Sequence, residues 1–183
     1  KDNIVILTDK EEEKIIENVN SKLYTRDAEK VTEIGEYNVY QFTESPACIF
    51  ELPKVGMVKE YSPGVFELFN ADFEENGSAC SDGEEGFFIT GPYADIVEGT
   101  YTVTFHYQIV DHNSQNMHAG YADISVDSGE RVLKTVPILV NNSDGKAVID
   151  DVRLDHERNV EFRIYAYKGT HIRVTNIEIA REE

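Results

Sequence analysis

From Phe87 to Ala180 the chain is a succession of runs rich in β-branched and aromatic residues: FFITGPYADIVEGTYTVTFHYQIV, GYADISV, RVLKTVPILV, KAVIDDVRL, VEFRIYAY and HIRVTNIEI. Gly, Asn, Asp or Ser closes these runs, because such residues accept the turn backbone that β-branched residues resist. The pattern predicts an antiparallel β-sandwich. A strand is pleated, so alternate residues face opposite ways and sidedness can be read directly. In Val160–Tyr167 this puts Val160, Phe162, Ile164 and Ala166 on a core face and Glu161, Arg163, Tyr165 and Tyr167 on an outer one. The run from Tyr101 separates in the same way, with Tyr101, Val103, Phe105, Tyr107 and Ile109 inward and Thr102, Thr104, His106 and Gln108 outward. The last run turns Ile172 and Val174 inward and His171, Arg173 and Thr175 outward, then resumes one residue late at Ile177 and Ile179. A bulge near Asn176 accounts for the slip.

Residues 1–43 read as a separate small α/β unit. IVIL is a short buried strand, Thr8 and Glu11 make a capping box, and the stripe Ile15, Ile16, Val19 and Leu23 predicts a helix. AEKVTEIG and EYNVYQF then read as two strands turning at Gly35. This strand, helix, strand, strand unit is too small to bury its helix well and should pack on a neighbour. Pro46, Pro53 and Pro63 interrupt residues 44–64, which read as a connector with one short strand at Cys48–Leu52. The sandwich is expected over residues 65–183, with alternation resuming in VFELFNADF and a long polar loop at NGSACSDGEEG.

The chain has 17 Lys and Arg against 35 Asp and Glu, a formal net charge of -18, which repels phosphate backbones and disfavours nucleic-acid binding. No stretch of about 18 apolar residues is present to span a bilayer. The chain opens on a polar residue directly before a strand-like run, as expected of a piece of a longer protein. No Lys or Arg falls between Lys59 and Arg131, a window rich in Asp and Glu. That window reads as a solvated acidic surface or as a structural calcium site, with Asp72, Glu74, Glu75 and Asp82 as the candidate ligands, although they match no EF-hand spacing. Cys48 and Cys80 could pair in an oxidising compartment or stay as small buried thiols in a reducing one.

No GxSxG elbow, P-loop, HExxH or GxGxxG occurs, so a non-catalytic role is expected and no catalytic residue is named. The outer faces suggest recognition instead. Sugars are held by aromatic rings that cover the apolar CH face of a pyranose and by planar polar groups that grip neighbouring hydroxyls. Tyr165, Tyr167, His106, Arg163 and Arg173 suit that task, though they could equally be strand-forming tyrosines and cross-strand charge pairs. A second option is the loop cluster Asp111, His112, Asn113, Gln115, Asn116 and His118 at one end of the sandwich.

The segments GPY and EGTYTV and the closing RVTNIEI resemble carbohydrate-binding-module-like jelly-roll sandwiches of bacterial cell-surface and polysaccharide-related proteins. The resemblance implies a non-catalytic module that binds or positions a cell-envelope carbohydrate; a structural or protein-interaction domain is the alternative. Calcium-bearing relatives often carry an acidic residue in the closing strand, where Asn176 stands here. IVILTD, the helix and EYNVYQF look like the small soluble unit after the last membrane helix of bacterial multi-spanning glycosyltransferase-type proteins. Together they imply an extracytoplasmic location and the membrane-embedded remainder of a parent protein as partner.

Overall fold

The computed structural model describes residues 5–9, 26–34, 37–44, 50–112, 117–142 and 144–182, which belong to two units, Lys1–Phe50 and Glu51–Glu183. In the first, β1 (Val5–Asp9), β2 (Arg26–Ile34) and β3 (Tyr37–Glu44) form an antiparallel sheet in the order β1-β3-β2. Val39, a β-branched residue on the central strand, is buried. The helix expected over Ile15 to Leu23 falls outside the described residues.

The second unit contains β4 (Met57–Tyr61), β5 (Glu67–Leu68), β6 (Ala71–Phe73), β7 (Ala79–Ser81), β8 (Gly86–Thr90) and β9 (Pro92–Ile96). The longer strands follow: β10 (Gly99–His112), β11 (His118–Val126), β12 (Arg131–Leu139), β13 (Lys146–Leu154), β14 (Glu157–Ala166) and β15 (Thr170–Arg181). They make two six-stranded antiparallel sheets. One runs β13-β10-β15-β7-β6, with β4 also on β15; the other runs β12-β11-β14-β8-β5, with β9 also on β14.

The inward positions read from the alternation are the core. Tyr101, Val103, Phe105, Val160, Phe162, Ile164, Ile172, Val174, Ile177 and Ile179 are all fully buried between the sheets. Side chains of this size each contribute roughly 1.5–3 kcal/mol when removed from water. The core tyrosines Tyr101 and Tyr107 satisfy their phenols on the backbone, Tyr101 donating to the Val97 carbonyl at 3.0 Å and Tyr107 to that of Leu139 at 3.0 Å. The bulge in the last strand is present: His106 pairs Asn176 and Tyr107 pairs Val174, which leaves Thr175 as the extra residue.

Two stretches differ from the sequence reading. The connector over 44–64 holds β4, hydrogen-bonded to β15 from Met57↔Arg181 to Tyr61↔Ile177, whereas residues 50–52 carry no strand. Pro53 and Pro63 lie just outside β4, so neither removes one of its ladder bonds. The polar loop NGSACSDGEEG contains β7, whose Ala79 and Ser81 are buried and small enough for the chain to lie against β15. Cys80 is half-buried, and its pairing with Cys48 falls outside the described residues.

Candidate functional site

On the outer face of the second sheet, β8, β14 and β11 lie side by side and bring one aromatic from each into register, Phe87 opposite Tyr165 and Tyr165 opposite Tyr121. Tyr121 and Tyr165 stack with centroids 4.8 Å apart and planes 11° from parallel. Phe87 meets Tyr165 edge-on at 5.1 Å, and Tyr167 joins at 5.9 Å from Tyr165 and 6.3 Å from Tyr121. Offset and edge-on contacts of this kind add roughly 0.5–1.5 kcal/mol each beyond area burial, so the four rings hold one another in place. All four are half-buried, which leaves part of each ring in solvent.

One step along the same strands, Asp123 on β11 faces Arg163 on β14. The pair is bidentate, Nε donating to Oδ1 at 2.7 Å and Nη2 to Oδ2 at 2.9 Å. The guanidinium also lies over the Phe87 ring, 4.3 Å from its centroid. Asp123 is 2 % and Arg163 8 % exposed, so this is a buried ion pair beside the aromatic row. The β11–β12 turn buries it: Asp127, Ser128 and Gly129 all have positive φ, and a Cβ on Gly129 would sit 2.7 Å from Arg163 Nη1. Glu161, next on β14, is 3 % exposed, and burial raises its pKa against the pull of Arg163.

One carboxylate meets the row, and a second stands on β5, the strand paired with β8. Tyr165 donates to Glu85 Oε1 at 3.1 Å, and its own pKa is raised by desolvation and then by that carboxylate. Tyr93, held at a φ of 57° beside Thr90, donates to Glu67 Oε2 at 3.3 Å, and burial pushes its phenol up to about 12. These phenols are neutral donors throughout the physiological range.

The structure brings together three of the five candidate binding residues and separates the other two. Tyr165, Tyr167 and Arg163 share the outer face of β14 and the turn after it. His106 and Arg173 project from β10 and β15 of the other sheet. For Arg163 the structure shows the cross-strand charge pair, with Asp123 as its partner and the Gly129 turn enclosing it. His106 lies 2.9 Å from Glu178 and lines a half-open cleft of about 370 Å³ with Gln108, Asn142, Asp144 and Thr175. Of the loop cluster, Asp111 and His118 are exposed and His112 is half-buried, while Asn113, Gln115 and Asn116 fall outside the described residues. Phe87, Tyr121, Asp123 and Glu85 complete the site although the sequence reading did not select them.

Arg173 is engaged by Glu74, with Nε donating to Oε2 at 2.9 Å and Nη2 to Oε1 at 2.8 Å. Asp82 accepts from the Glu84 backbone N–H, and among the described residues no three His, Cys, Asp or Glu side chains form a group able to hold a metal ion. Hydrogen bonds from Arg173 and then Ser78 hold the Glu74 carboxyl down at about 2 from an ordinary 4.5. A carboxyl depressed on folding stabilises above its unfolded pKa and ceases to do so as pH falls through the folded one. The tie between β15 and the β6–β7 turn is therefore expected to weaken from pH 4.5 toward pH 2. Acid melts of the wild type and Glu74→Gln check this: their difference in Tm, present at pH 7, should shrink across that range.

A scan against protein-family models and a comparison with curated proteins both give no match. Among solved structures the chain is similar to a low-affinity xylan-binding module, CBM86, from Roseburia intestinalis, at 12% identity and a TM-score of 0.46 over 69% of this chain and 96% of that one. It is also similar to the C-terminal CBM6 of LamC from Zobellia galactanivorans, at 13% identity and a TM-score of 0.35 over 97% and 99% of the two chains. A third similar structure is a carbohydrate-binding module of Cellvibrio mixtus lichenase 5A in complex with cellotriose, at 13% identity and a TM-score of 0.32 over 85% and 86%.

Proposed function

We propose that the sandwich is a non-catalytic module that binds carbohydrate on the outer face of its second sheet, over Phe87, Tyr121, Tyr165 and Tyr167. The observation that carries this reading is the continuous cluster of four half-buried rings on β8, β14 and β11 and just past the end of β14, flanked by a buried ion pair. Rings fixed by mutual packing lose little freedom when a ligand arrives, which lowers the entropic cost of a weak, stacking-driven contact. Partly exposed ring surface can cover sugar CH groups while the phenols and the Glu85 carboxylate bond to hydroxyls. The extracytoplasmic location, the cell-envelope glycan and the membrane-embedded parent belong to this reading and are supported by the resemblances noted in the sequence.

Titration of the chain with a set of soluble cell-envelope glycans tests it. At least one glycan should bind, and Tyr121→Ala and Tyr165→Ala should each weaken it about tenfold or more, the loss of roughly 1.4 kcal/mol expected of a stacking ring. Far-UV circular dichroism should be unchanged in both variants. Undiminished binding in both would move the site elsewhere, and no binding to any glycan would favour a structural or protein-interaction domain.

A further inference from the structure

We infer that the ligand of this face is an oligosaccharide bearing free amino groups, a conclusion that rests on the carbohydrate reading above. The charges around the rings are one-sided. Glu85 beside Tyr165 and Glu67 beside Tyr93 are the carboxylates at the aromatic face, since Glu161 is buried and the cation, Arg163, is neutralised by Asp123 through both of its hydrogen bonds. The loop that supplies Glu85 adds Asp82 and Glu84, both exposed, against the exposed Lys168 that follows Tyr167. The chain as a whole carries a formal charge of -18.

A uronate or sulfate group brought to these rings would meet carboxylates with no available guanidinium to offset them. An ammonium meets the opposite situation. It is attracted by the ring quadrupoles and by Glu85, which stands within a hydrogen bond of the Tyr165 phenol, so one charged group can engage both. A neutral sugar gains the ring contact and the hydroxyl hydrogen bonds but no attraction between charges. Charge therefore sets the preference among glycans that all satisfy the rings.

Three tetrasaccharides of one linkage test this by calorimetry: β-1,4-linked glucosamine, its fully N-acetylated form, and the corresponding glucose tetramer. The glucosamine tetramer should bind at least tenfold more tightly than the other two at low salt. Raising ionic strength from about 0.02 to about 0.3 M should shrink that advantage severalfold, since the Debye length falls well below the reach of exposed charges. Glu85→Gln should shrink it as well, and Tyr121→Ala should weaken the glucosamine tetramer at every salt concentration. If the acetylated or glucose tetramer binds as tightly or more tightly, the charge preference is overturned while the carbohydrate face stands. Equal binding of the glucosamine tetramer by wild type and Tyr121→Ala would mean diffuse attraction to an acidic chain and would also overturn it. If no tetramer binds, the preference for amino sugars is overturned, and the glycan titration above decides the carbohydrate face by itself.

Discussion

Asp123→Ala is expected to lower folding stability by about 3–5 kcal/mol, because removing one partner of a buried ion pair leaves the other desolvated and unmatched. Arg163 is 8 % exposed, both of its hydrogen bonds to a carboxylate end on Asp123, and the Gly129 turn closes over it. Glu161 offers partial compensation, since it faces the guanidinium along β14, so the lower end of the range is the better expectation. Urea unfolding measures the cost. The companion variant Asp123→Leu with Arg163→Met should recover most of it, because an apolar pair of similar volume needs no counter-charge. If Asp123→Ala unfolds within about 1 kcal/mol of wild type, the pair is not the support of the aromatic row. The near-ultraviolet circular dichroism of the double variant reports that row separately: loss of the tyrosine signal in a stable protein would show that Arg163 positions Phe87.

Much of the fold could be read from strand alternation, because each long strand has one buried face and the pleat fixes the period. Tyr101, Val103 and Phe105 on β10, and Phe162 and Ile164 on β14, are inward for that reason. The bulge at Thr175 was legible by the same logic, since a slipped alternation needs an extra residue. Only part of the site could be reached this way. Alternation tells which face a residue takes within its own strand, not which strands become neighbours, so it could not separate His106 and Arg173 from Tyr165 and Tyr167. The run GYADISV places Tyr121 and Asp123 on a single face, but their value depends on the register Tyr121↔Tyr165 and Asp123↔Arg163, a long-range pairing. The burial of Arg163 and Glu161 comes from a turn folding back over its own sheet at Gly129, which no single strand records. β4 and β7 were hidden for a different reason. Short strands among Pro, Gly and Ser carry too few residues for a period to show.

Gly120→Ala is expected to cost about 3 kcal/mol or more, the upper end of what forced overpacking costs, and to disturb the aromatic face at the same time. Gly120 pairs with Ala166 at the end of β11, beside a register shift that follows His118. A Cβ on Gly120 would lie on the Tyr165 carbonyl oxygen, with Tyr165 C at 3.0 Å and Ala166 Cα at 3.3 Å. All of these are backbone atoms, so no side chain can swing away. Relief must come from parting β11 and β14, which moves the backbone of the very residue whose ring stacks on Tyr121. Gly64→Ala is the control: its Cβ would sit 2.9 Å from Phe73 Cζ, the tip of an exposed ring that can rotate aside. Chemical unfolding should show a large loss for Gly120→Ala and a change of about 0.5 kcal/mol or less for Gly64→Ala, the range of surface substitutions away from special contacts. Equal, small effects would mean that β11 and β14 can separate freely at this point. The close strand contact would then not be what holds Tyr121 and Tyr165 face to face.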